Sequence, residues 1–125
     1  MNGESGGKPG KKGLERIICA AAYSKDGFQA AFRYEAAFRQ LLALHAVLLL
    51  CVWLPDFDTA TRMVLVAASF VSLITELFNT AIEAVVDYIS LEKHPLAKRA
   101  KDVGSAAQFT ALLMTAMLWA TALAG

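Results

Sequence analysis

The sequence predicts an all-α membrane protein, with an N-terminal amphipathic surface helix followed by three transmembrane helices. Three observations support this class. Hydrophobic residues make up 57% of the 125 residues, and the mean hydropathy of +0.47 is too high for most soluble domains of this size. The apolar residues are clustered in long runs rather than spaced periodically. The length leaves room for one domain.

The elements follow in chain order. Residues 1–12 are rich in Gly and Lys and predict a disordered tail before a single domain at 13–125. Residues 14–33 place apolar side chains on one face, which predicts a helix on the membrane surface with Gly27 as a candidate break. Spans are predicted at 35–54, at 60–90 with an extension beyond the membrane, and at 98–124.

The basic residues predict the orientation. Lysine and arginine are concentrated before the first apolar run and in the loop after the second, whereas the loop after the first run holds only Arg62. The positive-inside rule then places the N-terminus in the cytoplasm, and three spans leave the C-terminus outside. Cys19 and Cys51 lack the spacing of metal ligands or of a disulfide framework. We expect no nucleic-acid partner and no soluble protein partner.

A polar stripe interrupts the second span. Its members recur at offsets that return to one side of a helix: Glu76, Asn79, Thr80, Glu83 and Asp87. A carboxylate in the hydrocarbon layer costs at least about 2.5 kcal/mol. Helix packing alone would be served by Ser, Thr or Asn at lower cost. The stripe therefore indicates a site that handles charge.

A second polar stripe opens the third span, with Lys98, Lys101, Asp102 and Ser105 on one side. Carboxylates that converge with a lysine suit a divalent cation and a polyphosphate, because Mg²⁺ prefers one or two carboxylates plus phosphate oxygens and water. A remaining carboxylate could deprotonate a hydroxyl nucleophile. The chain has neither a P-loop nor a protein-kinase motif set.

Spacing alone leaves three function classes open. An ion-coupled transporter would use intramembrane glutamates to carry protons. A phosphotransferase would use them to bind a divalent cation and to deprotonate a hydroxyl. A small assembly subunit would have neither activity. Three short spans cannot enclose a site, so both active classes require an oligomer with sites between subunits. His45, which interrupts the first apolar run, is interpreted as a packed or snorkelling side chain rather than a ligand, and no function is assigned to it.

Three segments carry a family resemblance: ELFNTAIEAVVD at 76–87, EAAFRQ at 35–40 and AKDVGSAA at 100–107. They closely resemble the prokaryotic integral-membrane diacylglycerol kinases, and the likeness runs from about residue 14 to the C-terminus. The resemblance implies a homotrimer in the bacterial inner membrane that uses ATP and Mg²⁺ to phosphorylate diacylglycerol, its lipid substrate, to phosphatidic acid. Undecaprenol kinases share the carboxylate motif and are the alternative, although 35–40 and 104–107 favour the diacylglycerol branch.

The resemblance also assigns roles to residues. The family's catalytic base falls on Glu76, its metal-holding carboxylates on Glu35 and Glu83, and a polar positioning amide on Asn79. Its nucleotide contacts fall on Arg16, Tyr23, Glu35, Glu83, Glu92, Lys93, His94, Lys101 and Asp102. Its lipid-substrate contacts fall on Arg16, Ala20, Ala21, Ala22, Tyr23, Ser24, Lys25, Gln29, Ala30, Ala31, Phe32, Ala37, Phe38, Arg39, Gln40, Leu41, Leu54, Pro55, Asp56, Phe57, Arg62, Glu76 and Ser105.

Overall fold

The computed structural model describes residues 12–125, which form four α-helices and no strand. The helices are α1 at Gly13–Tyr34, α2 at Ala36–Cys51, α3 at Thr59–Ile89 and α4 at Pro95–Ala124. The predicted all-α class is therefore confirmed. The predicted N-terminal tail lies outside the described residues, except for Lys12.

The chain divides into two compact units, one ending at Glu35 and one beginning at Ala36. The first unit contains α1, which has the acidic Glu15 in its first turn and the basic Arg33 in its last turn. Both charges are favourable to the helix dipole. Helix α1 continues through Gly27, so the break considered there is wrong. A single glycine costs a helix only about 1 kcal/mol relative to alanine, which the surrounding helix formers offset.

The second unit contains α2, α3 and α4. Helix α2 ends at Cys51, three residues before the predicted end of the first span. A tighter turn follows it. There the N–H of Leu54 donates to the Cys51 carbonyl at 3.1 Å. Pro55 explains the early end, because proline disfavours the helical conformation in the residue before it.

Helix α4 begins at Pro95 rather than near 98. The Nδ1 atom of His94 accepts a hydrogen bond from the N–H of Leu96 at 3.1 Å and caps the helix. Proline suits the first helical position, because the N–H that it lacks has no partner there in any helix. The helix of the third predicted span therefore begins at Pro95 itself, three residues earlier than predicted.

The membrane spans follow from helix length and composition. Helices α3 and α4, with 31 and 30 residues, are each long and apolar enough to cross a membrane. Helices α1 and α2 pass the same test only when they are counted together. The described residues thus contain two or three candidate spans, which supports a membrane protein. At about 1.5 Å per residue, α3 is about 46 Å long and exceeds a hydrocarbon core.

Asp58 caps the start of α3, where its Oδ1 atom accepts a hydrogen bond from the N–H of Thr61 at 2.8 Å. The bonds from Thr61 lower the pKa of the Asp58 carboxyl below its ordinary value of 3.8. A lowered pKa stabilises the fold above that ordinary value, and this stabilisation is lost as the pH falls through the lowered one.

We therefore expect resistance to unfolding by detergent to fall below about pH 4, and to fall less in Asp58→Asn. The asparagine keeps a capping oxygen but does not titrate. The measurement is SDS-induced unfolding of the micelle-solubilised protein across the acid range. Identical pH profiles for both proteins would contradict this role of Asp58.

Candidate active site

The polar stripe of α3 is buried at its start and becomes exposed toward Asp87. Glu76 is 3% exposed and Asn79 is 8% exposed, whereas Glu83, two turns after Glu76, is half-buried. The buried polar face also includes Ser69 and Ser72, which precede the predicted stripe on the same side of α3 and are fully buried. Helix α3 therefore presents a continuous polar face to its neighbours.

Four buried side chains connect α2, α3 and α4, and we call them the polar cluster: His45, Ser69, Ser72 and Gln108. The His45 ring lies 3.0 Å from the Ser69 Oγ through Nδ1 and 2.8 Å from the Ser72 Oγ through Nε2. The Gln108 amide donates to the Ser72 Oγ at 2.9 Å. The polar cluster thus fixes the relative positions of three helices one turn before Glu76.

His45→Leu is expected to destabilise the fold, because Ser69 and Ser72 would lose a partner in a dry interior. Ser72 keeps its bond from Gln108, whereas Ser69 is left unsatisfied. One unsatisfied buried polar group costs about 1–3 kcal/mol, and the variant should lose about that much unfolding free energy. The measurement is SDS unfolding in mixed micelles.

Thr115→Val provides the matched control for this variant. Thr115 is also buried, but its hydroxyl donates to the Ala111 carbonyl of its own helix at 2.9 Å. Removing it breaks no contact between helices, so the loss should be much smaller. Equal losses in the two variants would mean that the polar cluster does not hold the helices together.

Asn79 of α3 lies against Gly104 of α4. A Cβ atom at position 104 would overlap the Asn79 Oδ1 atom. That oxygen is buried and accepts no hydrogen bond within residues 12–125. Close approach at Gly104 therefore creates the space that Asn79 occupies, one turn from Glu76.

A cavity of about 660 Å³ opens where α3 and α4 are joined. We call this region the cavity end of the two helices. Its lining includes five predicted nucleotide-binding residues: Glu92, Lys93, His94, Lys101 and Asp102. The Lys101 ammonium lies 2.7 Å from Asp87 Oδ1, and the charge of Glu83 also acts on it. The structure thus gathers cationic and anionic groups around one opening.

The remaining predicted residues belong to other helices and loops. Arg16, Tyr23 and the lipid-contact positions before Glu35 belong to the first unit, and those at 37–41 form the first turns of α2, where Phe38 is buried. Ser105 is exposed on α4.

Residues 54–57 and Arg62 lie at the opposite end of α3 from the cavity. There the Arg62 guanidinium donates to the Pro55 carbonyl at 3.2 Å and stacks 5.2 Å from the Trp53 ring. Fourteen residues of helix, about 21 Å, separate Arg62 from Glu76. The structure does not bring these two predicted lipid contacts together within one chain.

The two predicted Mg²⁺ ligands belong to different units, since Glu35 ends the first and Glu83 lies on α3. Across residues 12–125, no group of three or more His, Cys, Asp or Glu side chains is arranged to hold a metal by itself. Mg²⁺ bound with a nucleotide needs only one or two carboxylates, because phosphate oxygens and water complete its shell. Glu83 is half-buried, one helical turn before Asp87, which lines the cavity.

The fold and the site define a small helical membrane protein with a buried carboxylate, Glu76, on α3 and a cavity lined by charged side chains where α3 and α4 are joined. Comparison with known proteins gives the family. The family model for prokaryotic diacylglycerol kinase matches residues 22–123, and the chain belongs to this family.

Bacterial relatives agree with this match. The diacylglycerol kinase of Pseudomonas aeruginosa is 53% identical over 116 residues, which cover 93% of this chain and 94% of that protein. The diacylglycerol kinase of Escherichia coli K12 is 48% identical over 86% of this chain and 88% of its own. A Helicobacter pylori diacylglycerol kinase is 40% identical over 89% and 87%. The prediction of a diacylglycerol kinase from the sequence is therefore confirmed.

Proposed function

We propose that the chain transfers the γ-phosphate of ATP to the hydroxyl of diacylglycerol, giving phosphatidic acid, with Glu76 as the general base. The observation that carries this proposal is the buried polar face of α3. It holds Glu76 within the helix pack and continues through Glu83 toward the cavity. A base at one end of this face and a phosphate site at the other suit transfer from a soluble nucleotide to a membrane lipid.

The cavity end supplies the nucleotide site. Lys101 carries a positive charge that offsets phosphate charge, and the turn at 92–94 borders the same opening for the rest of the nucleotide, as does Asp102. Glu35 and Glu83 would hold Mg²⁺, which neutralises charge on the phosphates when it is bound. The ammonium group has three donors, so Lys101 can bind several phosphate oxygens.

The lipid end centres on Glu76. Its carboxylate removes the proton of the diacylglycerol hydroxyl as that oxygen attacks the γ-phosphorus, and ADP leaves. Seven residues of helix place Glu76 about 10 Å from Glu83 along the axis. This separation suits a lipid hydroxyl at the membrane interface and a nucleotide outside the membrane. Asn79, one turn away, offers a buried acceptor oxygen that can orient the reacting groups.

We assign the active form to a homotrimer in the bacterial inner membrane, with the N-terminus cytoplasmic and the C-terminus periplasmic. Large apolar side chains such as Phe70, Phe78 and Phe109 are exposed in the single chain, which supports contact with lipid and with further copies. The distribution of Lys and Arg supports the orientation. In the trimer, neighbouring subunits would complete the lipid site around Glu76.

The test is transfer of labelled γ-phosphate from MgATP, in mixed micelles, to diacylglycerol and to undecaprenol side by side. The proposal predicts label on diacylglycerol. Label on undecaprenol alone would keep the chemistry and refute the lipid substrate. Absence of label on both lipids, from verified folded protein, would refute the phosphotransferase.

A further inference from the structure

One ion pair joins the two long helices at the cavity end. The Nζ atom of Lys101 on α4 lies 2.7 Å from the Oδ1 atom of Asp87 on α3. The two side chains are 41% and 48% exposed, and both line the cavity. The family resemblance gives Lys101 a nucleotide contact but gives Asp87 no role. Asp87 is therefore an unassigned carboxylate in contact with a residue of the proposed site.

A second ion pair, between Lys98 and Asp102, lies within one helix and contrasts with the first, which joins two helices. Lys98 and Asp102 lie 2.6 Å apart, but they are four residues apart on one helix, and their side chains are 79% and 62% exposed. Such a pair adds little to stability and fixes no neighbouring helix. The Asp87–Lys101 pair has its members on different helices, so it sets where the Lys101 ammonium lies relative to α3.

We propose that Asp87 is a positioning residue that holds the Lys101 ammonium at the cavity for the phosphates of the nucleotide. This inference rests on the proposed function. Lysine carries its charge on a flexible four-carbon stem, which an anchored carboxylate restrains. Asp87 engages one of three N–H donors and leaves two for phosphate oxygens. Asp87 therefore orients Lys101 without using up its capacity to bind phosphate.

Glu83 strengthens the case for positioning. Glu83 lies one helical turn before Asp87 on the same side of α3, so it is the other carboxylate of α3 that can attract the ammonium if Asp87 is removed. An ammonium group drawn toward Glu83 would move along α3 and would compete with a divalent cation for that carboxylate. Asp87 thus keeps the lysine and the proposed metal ligand in separate roles. If Asp87 instead competed with phosphate for Lys101, its removal would tighten nucleotide binding.

The experiment compares Asp87→Asn, Asp87→Glu and Lys101→Met with the wild type, each as the full chain in mixed micelles. Asp87→Asn should raise KM for MgATP at least about fivefold and leave KM for diacylglycerol unchanged. Asp87→Glu should recover part of the loss. The double variant Asp87→Asn with Lys101→Met should be no worse than Lys101→Met alone, because Asp87 acts through Lys101.

Asp26→Asn controls for net charge, since it removes one exposed carboxylate from a residue without an assigned role. An unchanged or lowered KM for MgATP in Asp87→Asn would overturn the inference, and so would additive losses in the double variant. Equilibrium binding of MgATP gives an independent readout for every variant. A wild type that phosphorylates no lipid would refute the proposed function, and the binding measurement would still decide the role of Asp87.

Discussion

Glu76→Gln is expected to lower kcat for phosphate transfer by about 10²–10⁴-fold, the usual contribution of a general base. Glutamine has the same shape as glutamate but cannot accept the proton of the lipid hydroxyl. The site is 3% exposed, so water cannot readily replace the lost base. MgATP binding should persist, because Glu76 lies about 10 Å from Glu83 along α3. The measurements are kcat with diacylglycerol and equilibrium binding of MgATP.

Glu83→Gln is the matched control, since it makes the same chemical change on the same helix face two turns away. It should lose Mg²⁺-dependent ATP binding, whereas Glu76→Gln should not. Normal turnover in Glu76→Gln would remove Glu76 from the mechanism. Loss of nucleotide binding in both variants would show that the two glutamates do not have the separate roles proposed here.

Gly104→Ala is expected to lower both the stability and the turnover of the protein. The added methyl group would occupy the position of the Asn79 Oδ1 atom, and Gly104 and Asn79 are both buried between α3 and α4. Overpacking of this kind typically costs about 1–3 kcal/mol. Either the helices separate or Asn79 moves, and each outcome disturbs the helix face that carries Glu76. We expect reduced resistance to SDS unfolding together with a lower kcat.

Gly27→Ala is the control for this substitution. A Cβ atom at Gly27 meets no atom within 4 Å, and α1 continues through that position. Alanine is the better helix former, so this variant should be unchanged or slightly more stable. Equal stability and turnover in Gly104→Ala and wild type would show that the close contact with Asn79 is not required.

Much of the fold could be predicted because the strongest signals are local. Long apolar runs gave the all-α membrane class, and the offsets among Glu76, Asn79 and Glu83 gave the buried and half-buried polar face of α3. Helix ends were less accurate, because capping and proline decide them over one or two residues. His94 and Pro95 start α4 earlier than periodicity indicated, and Gly27 does not interrupt α1.

The polar cluster could not be predicted, because its contacts join residues 24 to 36 positions apart. The sequence leaves open whether His45 is a packed or a snorkelling side chain, and its complete burial shows that it is packed. Nothing in the sequence pairs it with Ser69 and Ser72. One signal was available: isolated polar residues, among them His45, Ser72 and Gln108, interrupt the apolar runs. Choosing their partners requires the relative positions of the helices, which hydropathy does not encode.

Some parts of the site could be predicted from the sequence and others could not. The turn at 92–94, Lys101 and Asp102 were expected to act on the nucleotide, and the structure gathers them around one cavity. The pairing of Lys101 with Asp87 rather than with a neighbour on its own helix depends on the packing of α3 against α4. The base role of Glu76, the metal ligands and the trimer remain predictions.

The most direct test measures phosphate transfer and proton flux with the same protein in sealed vesicles of defined lipid content. A lipid kinase should place label from MgATP on diacylglycerol and should carry no proton flux without ATP. Proton flux without ATP, together with unlabelled lipid, would contradict the kinase and would make Glu76 and Glu83 the proton-carrying carboxylates of a transporter.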